Sequence, residues 1–192
     1  MSENDLPLAG IRVADFSWFG AGPIYTQTLA NHGAQVVRVE SQARIDGLRL
    51  SHPMPDDKHT YNVSGYYNNF NASKFSFSVN MKHPKAVDVA RRLIAVSDIV
   101  AENYTPGTLE KWGLTYESIC QIKPDIILVR EPMQGADGPH GNFAGFGAVI
   151  VPVAGVAYLS GFPHREPVGL GTNYTDYVVN PGHAVVATLA AL

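Results

Sequence analysis

The stretch Asp15–Glu40, DFSWFGAGPIYTQTLANHGAQVVRVE, decides the fold. Its parts are an apolar strand end, the glycine pair Gly20-x-Gly22, a helix, and a valine-rich strand closing on an acid. Upstream, Ile11–Phe16 is apolar apart from Arg12 and predicts the first strand. Pro23 falls in the first helical turn, where its missing N–H is harmless. The helix predicted from there runs to about His32, and Gly33 stops it. Ala34–Glu40 is the second strand. In such a unit the glycine turn lies at the carboxyl edge of a parallel sheet, where ligands bind. The helix start that follows favours a phosphate.

The pattern continues along the chain. Lys74–Met81 alternates Phe75, Phe77 and Val79 with Ser76, Ser78 and Asn80, a period of two that predicts a half-exposed strand. Pro84 opens a helix whose apolar set Val87, Ala90, Leu93 and Ile94 shares one face. Asp98–Ala101 and Asp125–Val129 are short strands, with helices around Thr108–Trp112 and Thr115–Ile122 between them. Strands alternating with helices predict a parallel, doubly wound α/β sheet. Residues 41–69 are a long polar connection, the kind that is usually functional or mobile. Phe143–Pro163 carries no charge, but its prolines and glycines argue for a buried segment and against a membrane span. His183–Leu192 is a small-residue apolar helix that needs cover from further chain or from a partner.

With 192 residues, 45% hydrophobic and 16% charged, one domain with a proper core is expected. A net charge of −3 without a basic run excludes a nucleic-acid binder. Cys120 is the only cysteine, so no disulfide framework exists, and a cytoplasmic protein is the simple expectation. The polar, acidic start MSENDLPLAG is no signal peptide. The seven histidines are scattered, which supports no metal site.

A nicotinamide site competes for the opening turn. The dinucleotide fingerprint asks for a third glycine at position 25, where this chain has Tyr25, with Pro23 between. Glu40 does stand where a ribose-binding acid belongs. Two of four features match, which is a weak signal.

Several ordered blocks carry a resemblance. LAGIRVADFSWFGAGP, HGAQVVRVE, NASKFSFSVNMKHPKA, SDIVAENYTPGTLEKWGLTYESICQIKPDIILV and GLGTNYTDYV resemble, in order, segments of the family III CoA-transferases. That group includes formyl-CoA transferase and carnitine CoA-transferase. The resemblance implies a Rossmann-like CoA-binding domain over residues 1–192, the N-terminal part of the family's large domain. The second, smaller domain of the family is missing from it. It also implies an acyl-CoA:carboxylate CoA-transferase working through a covalent aspartyl-CoA intermediate. Coenzyme A enters as acyl-CoA substrate, without a metal, and two chains interlock as a homodimer or a complementary subunit completes the enzyme.

Carried onto this sequence, the nucleophile is Asp176 in NYTDYV. The same residue is placed to N-cap the following helix, whose positive end would keep it ionised. The CoA-binding set the resemblance implies is Phe19, Gly20, Ala21, Ser41, Arg44, Lys74, Asn103, Tyr104 and Lys111. Gly20 replaces a glutamine found in some members, and Ser41 replaces an arginine. Asn103 reads equally as a turn residue, and Lys111 as a solvated helix face. The related α-methylacyl-CoA racemases carry His-Asp where this chain has Phe146-Gly147, and Phe146 cannot move a proton. Two other classes stay open: a non-catalytic CoA-binding subunit or fragment, and an NAD-dependent dehydrogenase.

Overall fold

The computed structural model describes residues 5–55 and 60–192 of the chain. Strands Arg12–Asp15 (β1), Gln35–Glu40 (β2), Phe75–Ser78 (β3), Ile99–Glu102 (β4) and Ile127–Arg130 (β5) form one sheet in the order β3-β2-β1-β4-β5. Every neighbouring pair is parallel. The chain lays down β1 to β3 in one direction, then returns past β1 for β4 and β5. The order therefore reverses between β1 and β4, and a ligand crevice belongs beyond their carboxyl ends.

The helices are Ala21–Asn31 (α1), Gly65–Phe70 (α2), Ala86–Ala95 (α3), Thr108–Lys111 (α4), Tyr116–Ile122 (α5), Gly147–Val153 (α6), Val156–Leu159 (α7) and Asn180–Ala191 (α8). Successive strand residues point to opposite faces, so β1 feeds two cores. Val13, with Val36 and Ile99, packs on Tyr25 and Leu29 of α1 and on Ala184 of α8. Ala14, with Val100, packs on Ala90 and Ile94 of α3 and Ile119 of α5. Each fully buried aliphatic side chain there contributes roughly 1.5–3 kcal/mol. The predicted doubly wound sheet is present, and its five strands stand where their apolar runs place them.

Tyr25 explains the missing third glycine. It is fully buried, and its hydroxyl pairs with Thr188 Oγ1 at 2.7 Å. The position that a dinucleotide fold keeps empty is here an anchor for α8 on α1.

The described part of the connection 41–69 is more ordered than its composition suggests. Asp46 caps a 3₁₀ turn at Gly47–Leu50, and Ser64 caps α2. Leu48, Tyr67 and Phe70 form a third small core with Phe19, Ile24 and Tyr177. Beneath it, the buried Arg38 guanidinium binds Asp46 and Asn71, while Arg49 grips Glu40 through two 2.8 Å bonds. Burial works to raise Glu40, but bonds from Arg49 and Tyr67 hold its carboxyl below the usual range. Residues 56–59 of the predicted polar segment, and residues 1–4 of the acidic start, lie outside the described residues.

Two expectations need correction. The uncharged segment 143–163 is not buried: Phe143, Phe146, Val153, Tyr158, Leu159 and Phe162 are all exposed, Leu159 by 82%. It folds as two short helices lying outside the sheet layers, which cover only part of it. Phe75, expected on the apolar side of β3, is exposed because β3 is an edge strand. The last helix buries Ala184 and Thr188 and leaves Val186, Leu189 and Leu192 in solvent. Among the described residues, no helix is long and apolar enough to cross a membrane.

Candidate active site

Three strand ends build the crevice. β1 leads into Phe16–Gly20, β4 into Asn103–Thr105, and β5 into Glu131–Met133. Asn103 ties the first two together: its Oδ1 accepts Trp18 N–H and its Nδ2 donates to Trp18 O, both at 2.7 Å. Phe19 between them has φ 59, a left-handed conformation costly for a bulky residue. Its N–H donates to Asp46 Oδ2 at 3.2 Å, and its ring meets Phe146 edge-on at 5.1 Å.

Below the turn, Asp15 is fully buried and accepts from Ser17 N–H at 2.9 Å and Thr26 Oγ1 at 2.7 Å. Burial opposes its charge, but Lys74, Arg38, Ser17 and Thr26 outweigh that and hold its carboxyl below the ordinary range. Lys74 Nζ is 3.1 Å from Asp15 Oδ2 and also reaches Pro23 O, Thr26 Oγ1 and Asn71 Oδ1. Burial brings this ammonium down to about 8 despite the Asp15 charge. With four acceptors around it, it stays charged at neutral pH.

Asp176 enters from the far end of the sequence. It lies in a π-helical turn, Thr175–Val179, which feeds α8. Such turns recur at functional sites. Two glycines make room for it. A Cβ on Gly20 would lie 2.9 Å from Asp176 Oδ2, and a Cβ on Gly147 would lie 2.6 Å from Asp176 Cβ. The backbone of Ala21, at the start of α1, acts to lower the pKa of this carboxylate. Burial is the larger effect and raises the Asp176 pKa above its ordinary value. The N-cap reading is corrected here: Asp176 sits inside the turn before α8 and faces the start of α1. That helix end only partly offsets burial.

These groups share a cleft of about 390 Å³. Its walls include Trp18, Phe19, Met133, Phe146 and Ile150, with Arg44 as the one cation among the described lining residues. The Arg44 guanidinium lies 5.2 Å over the Trp18 ring. Glu131 also lines the cleft. Burial, then the charges of Asp176, Asp15 and Glu102, push Glu131 up to about 8. Sequence reasoning missed this residue. The available signal was an acid directly after an apolar strand, at the ligand edge of a parallel sheet.

Of the residues singled out from sequence, Phe19, Gly20, Ala21, Arg44, Asn103, Tyr104 and Asp176 come together in this cleft. Ser41 does not. It lines a separate hollow of about 240 Å³ with Glu40, Arg49, Ser76 and Ser78. Lys74 is 2% exposed beneath the turn, bound to the acceptors named above. Lys111 is exposed at the end of α4, away from the cleft-lining residues. Glu40, the ribose-acid candidate, has both oxygens engaged by Arg49. Among the described residues, no group of three or more His, Cys, Asp or Glu is arranged to hold a metal.

The sequence model of CoA-transferase family III matches residues 8–192. The chain belongs to this family. Over 174 residues it is 38% identical to the succinyl-CoA–L-malate CoA-transferase beta subunit of Chloroflexus aurantiacus, covering 90% of this chain and 42% of that protein. It is 37% identical over 173 residues to human succinyl-CoA:glutarate CoA-transferase, covering 90% and 39%. A CAIB/BAIF family protein from Brucella suis superposes with a TM-score of 0.87 at 32% identity, covering 97% of this chain and 49% of that one. The family III chain thus spans less than half the length of these relatives.

Proposed function

We propose that this family III chain carries the CoA-binding crevice and the covalent nucleophile of an acyl-CoA:carboxylate CoA-transferase. The supporting observation is Asp176, lodged between Gly20 and Gly147 at the cleft with no ion-pair partner among the described residues. A carboxylate raised by burial is more basic, and so a stronger nucleophile once ionised. The residues present fit acyl-CoA. The cleft is of ligand size, its aromatic walls suit the pantetheine arm, and Arg44 supplies a cation for a phosphate.

The chemistry balances without a net proton. An Asp176 oxygen attacks the thioester carbonyl, its C–O bond forms, and the C–S bond breaks to release thiolate. The thiolate then attacks the Asp176 carbonyl of the mixed anhydride, and the donor acid leaves as carboxylate. The acceptor carboxylate attacks the resulting aspartyl thioester and expels thiolate again. Attack of that thiolate on the acceptor carbonyl yields the new acyl-CoA and restores Asp176. The relatives' names make succinyl-CoA the first donor to try.

The test is steady-state transfer from succinyl-CoA by the complete protein. Asp176→Asn keeps the shape and removes the nucleophile, so transfer falls ~1,000-fold or more while CoA still binds. Near-normal turnover by that variant contradicts the assignment.

A second reading is supported by relatives whose names identify alpha and beta subunits. In it, a partner contributes to the active site, either a copy interlocked as a homodimer or a complementary subunit. The solution mass of the complete protein separates these from a monomer.

A further inference from the structure

The cleft holds buried polar atoms that the transfer chemistry leaves without a task. Both carboxyl oxygens of Glu131 are out of contact with water and have no hydrogen-bond partner among the described residues. Trp18 Nε1, in the same cleft, is likewise a buried donor with no partner. Unpaired buried polar groups cost free energy, and they persist where a ligand completes them. Glu131 follows β5 and Trp18 follows β1, so the orphaned atoms come from strands on either side of β4.

Burial first, and then the charges around it, set the state of Glu131. Asp176 faces it from the π turn, Asp15 from the end of β1 and Glu102 from the end of β4. Tyr25 of α1 also feels its charge. The nearby cations are committed elsewhere: Lys74 to Asp15, Arg130 to Glu102 and Glu110, and Arg44 to the face of Trp18. An ionised Glu131 would be a further anion in a buried acidic surround. It would also repel the carboxylate that must approach Asp176. A neutral Glu131 has an O–H to give.

We propose that Glu131 acts as a neutral carboxylic acid that binds substrate, donating its O–H to a carboxylate oxygen of the acid docked beside Asp176. The indole Nε1–H of Trp18 is the second donor of the same site. Glu131 lines the cleft, and binding the acid requires its buried carboxyl oxygens to turn toward the ligand. This rests on the transferase reading for the identity of the ligand. It assigns recognition of the free acid to a group separate from the nucleophile. With burial holding Glu131 protonated up to about 8, acid binding weakens above that pH.

The experiment is calorimetric binding of succinate to the complete protein across about pH 6 to 10, in native, Glu131→Gln, Glu131→Leu and Asp176→Asn forms. Native affinity is expected to fall about tenfold per pH unit above about 8. Glu131→Gln keeps a neutral donor, so it binds within a few-fold of native at neutral pH and loses the alkaline fall. Glu131→Leu weakens binding about tenfold at neutral pH, with thermal melting to show that it is folded. Asp176→Asn removes an anion, so it binds succinate at least as tightly and keeps the alkaline fall. An alkaline fall that survives in Glu131→Gln, or native-like binding by Glu131→Leu, overturns the proposal. Transfer by Asp176→Asn tests the nucleophile separately, because succinate binding does not need it.

Discussion

Asp176 Oδ2 stands 2.9 Å from the point that a Cβ on Gly20 would occupy. Two residues 156 positions apart in the sequence are thus packed so closely that one must lack a side chain. Gly20 has φ −94, an ordinary conformation, so contact and not backbone freedom requires glycine there. Gly20→Ala is expected to push the carboxylate and the Tyr177 ring aside. Transfer then drops by about 10- to 100-fold, because a shift of about 1 Å is costly at a reacting centre, while CoA affinity changes little. Wild-type turnover in Gly20→Ala would show that the carboxylate tolerates displacement.

Asn103 joins the loops after β1 and β4 through its two bonds to the Trp18 backbone. Asn103→Ala leaves a backbone N–H and C=O of the first turn without these partners. The expected loss is about 1–3 kcal/mol of stability, with a several-fold rise in KM for acyl-CoA as the turn loosens. Denaturant titration and steady-state kinetics on the complete protein check both. An unchanged KM would separate Asn103 from ligand positioning.

Lys74 and Arg44 were grouped by sequence as CoA-binding cations, and their environments separate them. Lys74→Met breaks a buried pair with Asp15 and is expected to destabilise the fold by ~3–5 kcal/mol. Arg44→Gln is expected to leave stability nearly unchanged and to weaken CoA binding several-fold. That effect shrinks at high salt, as a screened phosphate contact does. Thermal melting and CoA titration distinguish the two. Equal effects of both substitutions on melting would contradict the separation.

The sheet was legible because each strand carries its own signal: the valines of β2, the alternation of β3, and short apolar runs bounded by helices. The crevice was legible in part, since a parallel sheet sends its glycine turn and the residues after β4 to one edge. That Lys74 lies buried beneath the turn was not legible, because sequence shows a lysine and not its depth. Its role follows from Asp15, Thr26 and Asn71 converging on one ammonium. Glu131 was invisible for the same reason, as its raised pKa arises from burial and from three acids contributed by other elements. The exposure of 143–163 also escaped detection, because an uncharged, glycine-containing run has the same composition on either side of a surface.

Stability should carry the mark of the raised acids. Burial pushes Glu102 to about 7 and Glu131 to about 8, against 4.5 for an ordinary glutamate. Between about pH 4.5 and 8 the unfolded chain releases these protons before the folded one does. Each group therefore lowers stability as pH rises through that window, by up to ~1.4 kcal/mol per pH unit, and the loss levels off above the folded pKa. The difference in unfolding free energy between the native protein and Glu131→Gln should grow in favour of the variant from about pH 5 to 8. A difference that stays constant over that range would mean that Glu131 is ionised in the fold.

The most direct measurement is trapping of the acylated enzyme. The complete protein is incubated with succinyl-CoA and hydroxylamine, digested, and its peptides are mapped by mass spectrometry. A hydroxamate on Asp176 that requires acyl-CoA, and is absent from Asp176→Asn, is the predicted result. Continued transfer with no adduct at Asp176, or an adduct on another carboxylate, would contradict the account.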